Sequence, residues 1–179
     1  MQVGEEGQQR LAAATAAIAG LGGLGSLQAA ALARAGVGRL ILIDRDRLEL
    51  SNLHRQWLYE ENDLREGLPK ALAAARHLAR INSEIQLEPV VAQLTSANIA
   101  DILGPANVIL DGSDNFETRY LLNDYALQTG KPWIYGAVLG TYGLTMPVLP
   151  GRSACLRCLY LQPPAESPTT CETVGIFNA

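Results

Sequence analysis

The 179-residue sequence has no uninterrupted apolar stretch near the roughly 20 residues that a membrane-spanning helix requires. Its opening, Met1-Gln2-Val3-Gly4-Glu5-Glu6, lacks the basic start and apolar centre of a secretory signal, so a cytoplasmic location is expected. Cysteine is scarce: Cys155, Cys158 and Cys171 are the only three, all late in the chain. An odd count of this kind argues against a disulfide framework and toward metal or thiol chemistry. Basic residues are not in excess either. Fourteen Lys and Arg stand against 18 Asp and Glu, a net charge of −4, which gives no general attraction to nucleic acid or anionic lipid. There is no internal repeat and no low-complexity tract beyond alanine-rich helical stretches.

What is present describes one domain over residues 1–179, with 48% hydrophobic and 18% charged residues, enough to bury a sizeable core. Short apolar runs alternate with longer helical patterns, the rhythm of an α/β fold built on a mainly parallel sheet. Strands are expected at 14–19, 39–44, 85–91, 107–111 and 133–136, and helices at 26–35, 69–81, 98–103 and about 117–128. The segment from Leu11 to Ala19 reads as buried apolar structure running into a glycine loop. Alanines in 14–19 favour a helix, but the glycines that follow at once favour a strand. After Gly136 the texture changes: 142–149 reads as an antiparallel appendage, and loop follows from Pro150. The expected architecture is Rossmann-like, a twisted sheet with helices on both faces.

Gly20-Leu21-Gly22-Gly23-Leu24-Gly25 fits the spacing of a phosphate-binding loop, with Gly20, Gly22 and Gly25 at the motif positions. Bare backbone there approaches phosphates, and the next helix presents free N–H groups and a positive dipole end. Asp44 ends the second strand, where an acidic side chain can hold a ribose hydroxyl. These features alone suit a dehydrogenase equally well. The polar segment from Asp44 to Gln56 is too long for a tight turn and carries Asn52 and Arg55, with Lys70 opening the next helix. Fixed cations beside a glycine loop suit a triphosphate, although the same segment also reads as a solvated loop. Asp111-Gly112-Ser113-Asp114-Asn115 closes the fourth strand, where Asp114 or Asn115 either serves a ligand or caps the following helix.

In this order, the motifs resemble the MoeB/ThiF family of adenylyltransferases, relatives of the ubiquitin-activating enzymes. The matching stretches are Gly4 to Gln8, Gly20 to Gly25, Ala35 to Gly38, Asp44, Leu50-Ser51-Asn52-Leu53-His54-Arg55-Gln56, Lys70 and Asp111 to Asn115. Gly136-Ala137, Cys155-Leu156-Arg157-Cys158, Thr170-Cys171-Glu172 and Val174-Gly175 continue the match. The resemblance implies ATP- and Mg²⁺-dependent adenylation of the C-terminal Gly-Gly carboxylate of a ubiquitin-like sulfur carrier, in molybdopterin or thiamine pathways, by a homodimer. It implies that Asp44 holds the ribose, that Gly23 lines the nucleotide, and that Asn52, Arg55 and Lys70 neutralise phosphates. The flanking Ser51, Leu53 and His54 belong to the same site. Asp114 would bind Mg²⁺ and Asn115 would lie beside the nucleotide. A non-catalytic scaffold of the same fold, or a relative activating a small molecule or a tRNA base, is the alternative.

Cys155 and Cys158 form half of a tetrahedral zinc site, which in this family a later pair completes. Cys171 falls where some members carry a thiol that bonds the carrier covalently, and where others carry an inert one. The family also places an arginine upstream of Gly4 to Gln8, a position that Arg10 does not match, and continues beyond residue 179. The sequence is therefore expected to be part of a longer protein.

Overall fold

The computed structural model describes residues 3–162. Six strands, β1 (Thr15–Ala19), β2 (Arg39–Ile43), β3 (Gln86–Val90), β4 (Val108–Asp111), β5 (Trp133–Leu139) and β6 (Tyr142–Val148), form one sheet in the order β3-β2-β1-β4-β5-β6. Every pairing is parallel except β5 with β6, a hairpin whose register closes at Leu139 and Tyr142. The seven helices are α1 (Gly4–Ala12), α2 (Gly23–Ala35), α3 (Glu61–Arg65), α4 (Lys70–Ile81), α5 (Ile99–Leu103), α6 (Phe116–Thr129) and α7 (Leu156–Leu159) among the described residues.

β1 is a strand against the helix preference of its alanines because it is central, paired with β2 on one side and β4 on the other. Ala16 and Ile18 face one buried cluster, with Ala29 and Ala33 of α2 and Ala74 and Leu78 of α4. Ala17 and Ala19 face the other, with Leu103 of α5 and Leu122 of α6. Small side chains in the central strand let both layers pack close, and tertiary placement outweighs propensity. The prolines obey the sheet: Pro89 and Pro147 lie on the two edge strands, where a missing N–H costs no ladder bond. Between β1 and β4 the chain reverses its direction of travel across the sheet, and the C-terminal strand ends there form the crevice where such folds bind ligands.

Several boundaries differ from the sequence reading. α2 starts at Gly23, not Ser26, so the last glycines of the loop are already helical. α1 takes Leu11 and Ala12 away from the expected buried run. It buries no residue, and Gln8 Nε2 docks it by donating to the Ala35 carbonyl at 2.9 Å. The short α7 falls within the stretch read as loop, and α3 lies between the polar segment and the helix at 69–81, where the sequence reading places no element.

Candidate active site

The glycine loop is shaped by three glycines in mutual backbone contact. Gly20 has φ +90°, a left-handed value that glycine accommodates. A Cβ on Gly25 would stand 1.9 Å from the Gly20 carbonyl oxygen, and one on Gly112 would stand 2.5 Å from that same oxygen. The loop after β1 and the turn after β4 are thus pressed together with no side chain between them. Gly22 is the N-cap of α2 and supplies no side-chain acceptor, which leaves the amides of the first turn facing the crevice.

Asp44 organises the β2 side. Its Oδ2 accepts from the Leu21 amide and its Oδ1 from the Asp46 amide, both at 2.8 Å. Burial raises the Asp44 pKa above the ordinary carboxylate value, while these two amides and Lys70 pull against that rise. The Leu21 carbonyl accepts from the buried Tyr59 hydroxyl at 2.8 Å, so the loop is held from both sides.

The polar segment is an excursion with a closed base. Arg47 bridges Pro69, and the Lys70 amide donates to the Asp46 carbonyl at 2.8 Å. The stretch that follows this segment, through α3, is pinned to α4 by the buried His77–Asp63 hydrogen bond of 2.7 Å. Lys70 is buried with Nζ 3.6 Å from Asp46 Oδ2, so its charge stays beside the Asp44 end of β2. Asn52 is also buried, in the 3₁₀ turn Leu50–Asn52, and accepts from the Glu49 amide. Arg55 is half-buried and donates to the Ser51 carbonyl at 2.8 Å. Ser51 and His54 are exposed, while Leu53 packs on the core.

On the β4 side, Asn115 is the cap of α6: its Oδ1 accepts from the Thr118 amide at 2.8 Å. That leaves Asp114 exposed, with Asn115 Nδ2 donating to its Oδ1 at 3.1 Å. Among the described residues no group of three or more His, Cys, Asp or Glu is arranged to hold a metal ion. A lone exposed carboxylate still fits Mg²⁺, which commonly takes one or two protein carboxylates and completes its shell with phosphate and water. Cys155 and Cys158 lie on the α6 flank with sulfurs 3.7 Å apart. There the Leu156 amide donates to Asn123 Oδ1 and Arg157 grips Asp124. Cys171 lies outside the described residues.

The sequence reading gives no individual role to Gln56 and Asp111, which it quotes only within longer motifs, and does not name Arg119. Gln56 is buried with an unpartnered Oε1, and its amide nitrogen lies near Gly22. Asp111 is fully buried and paired with Arg119 of α6, and burial pushes its carboxyl up to about 6 against the pull of Ser113 and Arg119. Arg119 sits among ordinary helix residues, so only the fold reveals it. A hollow of about 230 Å³, lined by Leu94, Thr95, Thr118 and Leu121 among others, opens between the loop after β3 and the start of α6. A hollow of about 270 Å³ lies at the opposite sheet end, beside Gly130 and Pro132, and contains none of these groups.

The fold and this crevice define a nucleotide-binding α/β domain whose carboxylates and cations gather at the strand ends. The profile of the ThiF family matches residues 1–179, and the chain belongs to that family. It is 46% identical over 176 residues to the sulfur carrier protein ThiS adenylyltransferase of Bacillus subtilis, covering 98% of this chain and 52% of that protein. It is 43% identical over 183 residues to the sulfur carrier protein adenylyltransferase of Thermus thermophilus, covering 99% of this chain and 67% of that protein. Among solved structures, the crystal structure of E. coli MccB with ATP superposes with TM-score 0.78 at 29% identity, covering 84% of this chain and 46% of that one. The chain thus spans about half the length of the Bacillus relative. Family membership sets aside the dehydrogenase reading of the glycine loop.

Proposed function

We propose that the chain is the ATP-binding adenylation domain, over residues 1–179, of an enzyme that activates the C-terminal glycine of a ubiquitin-like sulfur carrier. The carrier carboxylate attacks the α-phosphate, a bond forms between carboxylate oxygen and phosphorus, and pyrophosphate leaves. The observation that carries this reading is the joining of the glycine loop, Asp44 and Lys70 to the Asp111–Asn115 turn through bare Gly20–Gly112 contact. The names of the Bacillus and Thermus relatives support the carrier as substrate.

In this reading Gly20, Gly22, Gly23 and Gly25 admit the phosphates and Asp44 holds the ribose through lone pairs left over from its two amide bonds. The base occupies the hollow beside Leu94, between the loop after β3 and the start of α6. Asn52, Arg55 and Lys70 face the phosphates, and Asp114 with the triphosphate holds Mg²⁺. A bound Mg²⁺ supplies charge neutralisation of the departing pyrophosphate. A carboxylate needs no general base, so positioning and fixed charge carry the rate. The enzyme acts in the cytoplasm as a homodimer. Cys155 and Cys158 contribute two of four zinc ligands in the whole protein.

Arg55 gives up only the Ser51 carbonyl to reach a phosphate, so Arg55→Ala is expected to cost roughly 2–4 kcal/mol of transition-state stabilisation. Comparison of kcat/KM for adenylation checks this, and a rate near that of the parent removes Arg55 from the site. The function itself is tested by incubating the protein with Mg²⁺-ATP and a carrier ending in Gly-Gly, then analysing the carrier by mass spectrometry. An added adenylyl mass that hydroxylamine removes is expected; an unmodified carrier contradicts the proposal.

A further inference from the structure

The geometry points to Asp111 and Arg119 as positioning residues that aim the Asp114 carboxylate at the metal, an inference that rests on the nucleotide reading above. The two charges are buried at the end of β4 and in the second turn of α6, and they clamp the residue between them from opposite sides. Asp111 Oδ1 accepts from both the amide and the hydroxyl of Ser113, at 2.9 and 2.6 Å. Arg119 Nη2 donates to the Ser113 carbonyl at 2.8 Å. Every main-chain polar atom of Ser113 is therefore held, and so is its side chain. The residue before it is equally fixed, because the Gly112 amide donates to the Ala19 carbonyl at 2.9 Å while its Cα side abuts Gly20 and Gly25. The residue after it is Asp114, exposed and tied only to Asn115. An over-determined turn ends on one free carboxylate.

A stabilising role alone explains this pair poorly. Arg119 Nε stands 3.7 Å from Asp111 Oδ2, beyond hydrogen-bond reach, and Nε makes no other hydrogen bond. Buried ion pairs of imperfect geometry are weak contributors to stability, and apolar replacements are often neutral or better. The guanidinium is instead oriented, lying 5.2 Å from the Phe116 ring centroid and 5.5 Å from that of Tyr135, with Nη2 directed at the Ser113 carbonyl. Mg²⁺ demands near-ideal octahedral geometry, so a displaced carboxylate forfeits the metal while the glycine loop still admits a nucleotide. The pair therefore governs the metal-dependent part of nucleotide affinity and not the metal-free part.

The test is calorimetric titration of the protein with α,β-methylene ATP, with and without saturating Mg²⁺. The variants are D111N/R119M, neutral and close in volume, and R119K, which keeps the charge but loses the guanidinium whose Nη2 holds the Ser113 carbonyl. Both are expected to bind the metal-free analogue within about 2-fold of the parent and to lose about 10-fold of the Mg²⁺-dependent gain. Thermal melting identifies which variants are folded; if the double variant unfolds, R119K decides alone. A parent-like Mg²⁺ gain in either folded variant overturns the positioning role. An equal loss of affinity with and without Mg²⁺ also overturns it, because a merely structural defect affects both. A parent protein that binds no analogue under either condition overturns the nucleotide reading, and this inference with it.

Discussion

Asp114→Ala is expected to lower Mg²⁺-dependent adenylation by roughly three orders of magnitude while leaving the fold intact. The two halves of this expectation rest on different observations. The fold should survive because Asp114 is exposed and accepts a single hydrogen bond, from its neighbour Asn115. The cap of α6 belongs to Asn115 and not to Asp114, so removing the carboxylate costs the helix no N-terminal acceptor. Activity should not survive, because among the described residues no alternative cluster of ligands is arranged to hold the ion. Thermal melting within about 2 °C of the parent, with the rate lost, is the expected pair of results. Undiminished turnover would remove Asp114 from the metal site. A large drop in melting temperature would instead make it a structural residue.

The second large effect is on stability. Gly25→Ala places a methyl group 1.9 Å from the Gly20 carbonyl oxygen and 2.9 Å from its carbon, both backbone atoms that no rotamer change can move. Relief requires α2 to withdraw from the end of β1, and that opens the phosphate loop and the contact with Gly112 together. A loss of about 4 kcal/mol or more is expected, at the exceptional end for one substitution, with a fall in melting temperature of roughly 10 °C. Gly143→Ala is the matched control, since nothing lies within 4 Å of its Cβ position. It should melt within about 2 °C of the parent. Equal melting temperatures for the two variants would contradict the close-contact account of the loop.

The parts of this site that were legible in the sequence are those whose chemistry is local. Glycine spacing, an acidic residue at a strand end and a polar Asn or Asp before a helix each state their role within a few residues. Thus the glycine run follows β1, Asp44 stands at the end of β2 and a capping turn at Asn115 opens α6, as the pattern indicates, although Gly23 to Gly25 are already helical. The strand at β1 was legible only through its glycines, because alanine carries no strand preference of its own and its central position is a tertiary fact. What sequence reading missed is what depends on distant partners. Arg119 lies within Phe-Glu-Thr-Arg-Tyr-Leu-Leu, where nothing distinguishes it from a solvated helix residue until β4 brings Asp111 beneath it. Tyr59 gains its role from the Leu21 carbonyl 38 positions earlier. α1 fully buries no residue, so no apolar periodicity announces it, and it is docked by the Gln8 contact to Ala35, the Gly38 amide on the Leu11 carbonyl and the half-buried Leu11 side chain.

The central claim is carrier-dependent adenylation, and ATP–pyrophosphate exchange tests it most directly. Labelled pyrophosphate should enter ATP when the protein in its full natural length is mixed with Mg²⁺ and a carrier ending in Gly-Gly, and should not when the terminal glycine is removed. Measurable ATP binding with no exchange in the presence of any such carrier would contradict the account and favour a scaffold, or a relative that activates a different substrate.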